Sequence, residues 1–571
     1  MNILRNILLA GYLLLNSFLA ESQEYYLDIR KSSDSEYVND ITGALEARYR
    51  DTSTVKLRLK QSIAEMRSRG FLAASYDSLH VGEDTVTAWL HTGRQYRWGR
   101  FSLSAPDSSV LQGMSFSRDI RSHEVIDLHE VNALQERIIT YLENQGYPFA
   151  SVKMKNLEHT GSDTLNASLN INPGKRYMID SILIKGDDPV SEDYLYPYLG
   201  LFPGMKYDES KLQQIRGKVE NLEFLGQIRD FELEFSEDRR VNVYLYLERA
   251  KSNQVDGVVG FLPQGDGKIR FTGQFDLRLS NLFRRGEYIA LDWNSLEEKS
   301  QELTLEMDYP YLFLQSVGLH AGLEIFKKDT SFLSRSFQAG LSFYIDSRTR
   351  LEVYGDFGSS SLISESSEVK GIFEPYNMRL YGLKYAFKNL DYRLNPSKGL
   401  DLDMFVSLGK RRRGEKENKR TSAEAGLDIA YYQPLLRSWV IKTSANGRYK
   451  HVWTEGEETF KKNELYRFGG FHSLRGFGDN AFLASAYSVV SLELRWLLSR
   501  NSNLYAFWDG GWYQGSNSSG IEEGFPLGFG VGTHVDTGGG IMYISYALGK
   551  QVGNPIELGS SKIHLGFVSK F

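Results

Sequence analysis

Glu302-Leu303-Thr304-Leu305-Glu306-Met307-Asp308-Tyr309 places an apolar or aromatic side chain at every second position. That period belongs to a strand, whose successive side chains point to opposite faces, and not to a helix, whose stripe returns every three or four residues. Val317, Leu319, Ala321, Leu323 and Ile325 continue the pattern in the next segment. A soluble sandwich buries such a face against a second sheet, whereas a transmembrane barrel turns it to lipid and lines its interior with the polar face. Length favours the barrel. The region 251–571 holds about 320 residues, and at roughly 20 per strand and connection it yields about 16 antiparallel strands, an even number that closes without an edge. The run Lys410-Arg411-Arg412-Arg413-Gly414-Glu415-Lys416-Glu417 lies between alternating segments and is expected at a solvated hairpin tip.

Composition agrees with long strands. The chain of 571 residues has 53 glycines, 34 tyrosines and 32 phenylalanines against 13 prolines, a balance that suits antiparallel sheet with aromatic belts. A net charge of -5, from 67 basic and 72 acidic residues, supplies no bulk field for nucleic acid. With no cysteine, disulfide frameworks, thiolate metal sites and cysteine nucleophiles are excluded. At the N-terminus Arg5 precedes an apolar run from Ile7 to Ala20, broken only by Asn16, and Ala20-Glu21-Ser22 offers small residues for cleavage. Residues 1–22 therefore read as a signal peptide, because about 14 apolar residues cannot cross a bilayer core that takes roughly 20 as helix.

Between these parts the chain repeats. Aligning Gly70, Gly146 and Gly226 brings Ile63, Ile139 and Val219 into one column and Met66, Leu142 and Leu222 into another. Each copy thus shows an apolar helical stripe that a glycine is expected to cap. Asp84-Thr85-Val86-Thr87-Ala88-Trp89-Leu90 then matches Asp163-Thr164-Leu165-Asn166-Ala167-Ser168-Leu169, and Gly93-Arg94-Gln95-Tyr96 answers Gly174-Lys175-Arg176-Tyr177. With opening strands at Tyr26–Arg30, Tyr96–Leu103 and Met178–Lys185, each unit reads strand, helix, helix, strand, strand over roughly 75 residues. The units span 23–95, 96–176 and 177–250. Each resembles the polypeptide-transport-associated (POTRA) domain, a resemblance that implies the capture of extended clients by addition to a sheet edge.

Ser280-Asn281-Leu282-Phe283-Arg284-Arg285-Gly286-Glu287 and Asn395-Pro396-Ser397-Lys398-Gly399 are similar to an early hairpin and to the turn before a long middle strand in the superfamily of outer-membrane protein assembly factors of BamA/TamA type. Phe468-Gly469-Gly470-Phe471-His472-Ser473-Leu474-Arg475-Gly476-Phe477 resembles the extracellular loop whose Arg-Gly-aromatic tip folds back into the lumen. Phe507-Trp508-Asp509-Gly510-Gly511 matches the aromatic-x-Asp-x-Gly strand. An arginine drawn into a confined lumen needs a carboxylate, and its planar fork can engage both oxygens. Leu474, Arg475, Gly476 and Phe477 are therefore expected to meet Phe507, Asp509 and Gly511, with Arg475 paired to Asp509. The chain closes on Ile563-His564-Leu565-Gly566-Phe567-Val568-Ser569-Lys570-Phe571, similar to a final barrel strand, although Ser569 stands where an apolar residue is usual.

The resemblance implies a protein of the bacterial outer membrane with its POTRA-like domains in the periplasm. It implies binding of unfolded barrel precursors and their insertion into outer-membrane lipid through a seam between the first strand, Val255 to Phe261, and the last. Gly257 and Gly260 are expected to face Gly566 there, beside Phe567 and Phe571, giving a weakly supported pairing. A periplasmic chaperone, a lipoprotein or an inner-membrane protein are possible partners; nucleic acid is not. The alternative is a polypeptide exporter of the two-partner secretion type, which shares the barrel and loop. No G-x-S-x-G, H-E-x-x-H or P-loop pattern occurs, so no enzyme, cofactor or metal is expected.

Overall fold

Three small sheets precede a large closed one in this computed structural model. It describes residues 24–570 apart from 33–34, 106–122, 188, 264–268, 296–299, 315, 365, 415–418, 455–459, 518–519, 538 and 552–560. The expected signal peptide and Phe571 lie outside the described residues.

The first module runs β1 (Tyr25–Lys31), α1 (Glu36–Leu45), β2 (Arg48–Tyr49), α2 (Thr52–Ser68), β3 (Ser75–Val81) and β4 (Thr85–His91). Ser35 caps α1 by accepting from the Val38 amide at 3.3 Å, and Asp51 caps α2 by accepting from the Thr54 amide at 2.7 Å. Leu27, Val55, Leu59, Met66 and Val86 form its buried core. In the second module, β5 (Arg97–Ser104), α3 (Leu128–Asn144), β6 (Ser151–His159) and β7 (Thr164–Asn172) repeat the arrangement. Residues 106–122, between β5 and α3, lie outside the described residues. The sequence alignment holds in space: Thr85 pairs in parallel with Tyr26, and Thr164 pairs in parallel with Arg97. The third module comprises β8 (Met178–Gly186), α4 (Glu192–Leu199), α5 (Glu209–Gln213), α6 (Ile215–Glu220), β9 (Leu225–Phe235) and β10 (Arg240–Arg249). Gly70 and Gly146 follow their helices with φ of +89° and +101°, as helix-terminating glycines do. Gly226 does not. The third helix is broken in two and ends at Glu220, so Gly226 falls inside β9, paired with Glu248.

The barrel wall begins with β11 (Gln254–Pro263), β12 (Ile269–Ser280), β13 (Tyr288–Ser295) and β14 (Gln301–Leu314). It continues through β15 (Val317–Lys328), β16 (Phe332–Tyr344) and β17 (Thr349–Leu362), then past the short α7 (Ser367–Ile372) to β18 (Tyr376–Leu390). β19 (Gly399–Arg413), β20 (Arg420–Leu436) and β21 (Trp439–Val452) are among the longest strands. A small ribbon, β22 (Tyr466–Phe468) with β23 (Phe482–Ala484), lies in the connection to β24 (Ala486–Leu497). β25 (Asn503–Asn517), β26 (Gly520–Gly524), β27 (Leu527–Asp536), β28 (Gly540–Lys550) and β29 (Lys562–Lys570) complete the circuit. β26 and β27 pair with successive halves of β25 and form one wall strand interrupted at Phe525-Pro526. Counted so, the barrel has sixteen antiparallel strands.

Its burial is inverted relative to a soluble protein. On β24, Val490, Leu492, Leu494 and Trp496 are 41–45% exposed, while Ser491, Glu493 and Arg495 are only 4–8% exposed. Apolar side chains facing outward and charges facing inward are what a lipid-facing wall requires. The same alternation corrects the reading of the basic run over 410–413, which belongs to β19; its residues 415–417 lie outside the described residues. Arg411 and Arg413 lie on the inner face of β19, buried against Glu464, because strand period carries every second residue into the lumen.

By compactness the chain divides in two: one unit holds the chain to Met178 with Lys206–Ser210 and Ser236–Arg240, and the other holds the rest. Most of the third module therefore belongs with the barrel. The turn after β12 makes the joint. Asn281 donates to the Pro189 carbonyl at 2.9 Å, the Ser191 amide donates to the Arg284 carbonyl at 2.7 Å, and Arg285 pairs with Asp193 at 3.1 Å. Tyr194 lies buried between Phe224 and Tyr311, with ring centroids 5.7 and 5.5 Å away. Gly286, at φ +67°, is where its ring passes; a Cβ there would fall 2.0 Å from Tyr194 Cε2.

Candidate functional site: a pinned loop in the barrel lumen

The connection between β21 and β24 turns back into the barrel, and its ion pairs fix where it sits. Arg475 donates from Nε to Asp509 Oδ2 at 2.8 Å and from Nη2 to Asp509 Oδ1 at 2.6 Å, a two-point engagement with β25. Its own amide also donates to Asp509 Oδ2, at 3.2 Å. Nη1 reaches Glu493 Oε1 on β24 at 2.7 Å, and Nη2 also meets Ser491 Oγ at 2.7 Å. The guanidinium lies 3.7 Å from the ring centroid of Phe507, adding a cation–π contact. Asp509 is fully buried and Arg475 nearly so. Two carboxylates face this arginine, and Glu493 is further compensated by Arg495 at 2.6 Å and Lys442 at 3.4 Å. Every charge in the cluster thus has a partner, the condition under which buried ions are tolerated.

Close backbone approach makes this geometry possible. Gly476 has φ +92°, and a Cβ on it would fall 2.5 Å from the Leu548 carbonyl. A Cβ on Gly528 would fall 2.1 Å from the Arg475 carbonyl oxygen. Leu474 is wholly buried, with Gly511 beside it, and Phe477 packs edge-on to Phe482 at 5.0 Å. The structure therefore brings together the expected loop residues Leu474, Arg475, Gly476 and Phe477 with Phe507, Asp509 and Gly511.

Sequence reasoning missed two further anchors on the same loop. Glu464 receives Arg413 at 2.6 Å and Arg411 at 2.9 Å from β19. Arg467 pairs with Glu302 of β14 at 3.0 Å and Glu324 of β15 at 3.2 Å, its guanidinium 3.5 Å from the Phe326 ring. Within twelve residues the loop is tied to β14, β15, β19, β24 and β25, on well-separated arcs of the wall. The signal for these anchors was the lumen-facing period of the strands, which the charges share.

The seam differs from its expected form. Among the described residues, β11 and β29 pair through Gln254 with Lys570 and Val255 with Ser569 and at no other position. Gly257 and Gly260 pair with Phe275 and Thr272 on β12, and Gly566 and Phe567 pair with Tyr543 and Met542 on β28. The glycines therefore do not face one another. The two strands part after their second pair, and each glycine bonds to its inner neighbour instead.

The Omp85 superfamily domain matches residues 281–570. Among curated proteins, the outer membrane protein assembly factor BamA of Neisseria meningitidis serogroup B is 21% identical over 248 residues, 43% of this chain. The chain spans 30% of that relative's length. Among solved structures, CdiB from Acinetobacter baumannii matches 94% of this chain and 100% of its own at TM-score 0.51 and 15% identity. CdiB from Escherichia coli matches 91% of this chain and 98% of its own at TM-score 0.53 and 13% identity. At such identities the structural likeness is one of fold.

Proposed function

Because the chain belongs to the Omp85 superfamily, we propose that it is an assembly factor that takes unfolded barrel precursors from the periplasm and inserts them into the outer membrane. The barrel spans that membrane and the POTRA-like modules stand on its periplasmic side. The observation that carries the reading is the seam. β28 and β29 pair from Gly540–Ser569 to Ala547–Lys562, whereas β29 meets β11 at two positions. Backbone donors and acceptors without partners cost several kcal/mol each in hydrocarbon, roughly, so a parted seam favours any strand that adds to it. A precursor strand supplies that pairing, and no covalent step is needed. The module sheets, with edges at β3, β6 and β9, suit the earlier capture of extended segments.

The rival reading, export of one polypeptide through the pore, requires the lumen to clear. Three ionic anchors on one loop oppose that and favour passage at the wall. Depleting the protein and taking a census of the outer membrane decides the matter. Loss of several barrel proteins supports insertion; loss of a single secreted protein with the barrels intact supports export.

A further inference from the structure

We infer that Phe471 clasps the closing strand of the barrel from inside, so that the seat of the lumen loop governs how far the seam stands open. The inference rests on the seam being the working part of the protein. Three observations carry it. The ring of Phe471 stacks on Tyr543 of β28, with centroids 5.2 Å apart and planes at 16°, and lies 5.4 Å from the His564 ring of β29. Tyr543 is the register partner of Gly566 on β29, and a Cβ at Gly566 would fall 2.0 Å from Tyr543 Cζ. The tyrosine ring therefore occupies the space a side chain on the closing strand would take. Phe471, Tyr543 and the β29 backbone form consecutive layers from lumen to wall.

The loop presents Phe471 from a fixed base. The Gly470 amide donates to the Leu474 carbonyl at 3.1 Å, and the Gly469 amide donates to Ser473 Oγ at 2.7 Å. Arg475, four residues on, is locked to Asp509 and Glu493. On its other edge β29 has, among the described residues, two pairs with β11. The stacking then adds to the β28 ladder in holding the last strand against the seam. Phe471 is a positioning residue: it acts on the seam through Tyr543 and His564.

The chain has no cysteine, so introduced thiols report without interference. In the full-length protein in vesicles, Val255→Cys with Ser569→Cys spans the seam, and Leu341→Cys with Val353→Cys spans β16 and β17 as a control. Disulfide formation is timed for both pairs under one oxidant. Phe471→Ala should slow the seam pair by roughly two- to tenfold, the range expected for one aromatic pair, and leave the control rate unchanged. Phe471→Tyr should restore the parent rate. If Phe471→Ala does not yield a folded barrel, Phe471→Leu is timed with the same expectation. An unchanged seam rate, or equal slowing of both pairs, overturns the clasp. Client insertion is not read in this assay, so an error in the proposed function and an error in the clasp give separate results.

Discussion

Arg475 and Asp509, thirty-four residues apart in the chain, meet inside the barrel through two side-chain hydrogen bonds of 2.8 and 2.6 Å. The pair ties the loop between β21 and β24 to the wall at β25, and Glu493 on β24 gives the same arginine a second carboxylate. Loop position is thereby decided by charge compensation in a confined space. Removing one member of a buried pair leaves its partner desolvated and uncompensated, which costs about 3–5 kcal/mol.

Arg475→Ala is expected to release the loop tip while the wall, held by strand pairing, still closes. Client insertion into vesicles should fall while the folded band on a heat-modifiability gel persists. Arg475→Lys should recover little of the loss, since an ammonium cannot engage both oxygens of Asp509 and Glu493 at once. Normal insertion by the alanine variant would remove the arginine from the mechanism.

Glu464→Gln removes the carboxylate charge that Arg411 and Arg413 share. The expected result is a lower melting temperature of the detergent-solubilised barrel, from a cost of about 3–5 kcal/mol. An unchanged melt would mean that the two arginines find other compensation.

The anchors at Arg467 and Arg475 hold opposite stretches of one loop. Planar-bilayer conductance should rise modestly for Arg467→Ala and Arg475→Ala singly, each freeing only its own stretch, and by more than the sum for the double variant, in which both stretches can leave the lumen together. Strict additivity would show that the anchors act independently.

Gly286→Ala combines a left-handed backbone, costing roughly 1–2 kcal/mol for a residue with a Cβ, with a collision against Tyr194. The third module should loosen from the barrel, read as faster protease cleavage near residues 187–191. Tyr194→Ala, which empties the space between Phe224 and Tyr311, should speed the same cleavage.

The wall and the modules were legible because period and repetition survive in one dimension: Glu302 to Tyr309 alternates, and Thr85 and Thr164 occupy equivalent positions. Arg475 with Asp509 was legible through resemblance and the need of a lumen arginine for a carboxylate. Glu464, Arg467 and Glu493 were not, since a charge facing a lumen and a charge facing solvent look alike until the strand register is known. Arg411 and Arg413 were misplaced for that reason. Gly226 misled because its column in the alignment ignored the break in the third helix. The seam glycines misled because their pairing depends on how far two strands, some 300 residues apart in sequence, stay together.

The central claim, that precursors enter the membrane at the junction of β11 and β29, is tested most directly by tying that junction shut. Val255→Cys with Ser569→Cys, reconstituted in vesicles, should insert an unfolded barrel client slowly when oxidised and at the parental rate once reduced. Equal insertion in the two states would show that the seam is not the route.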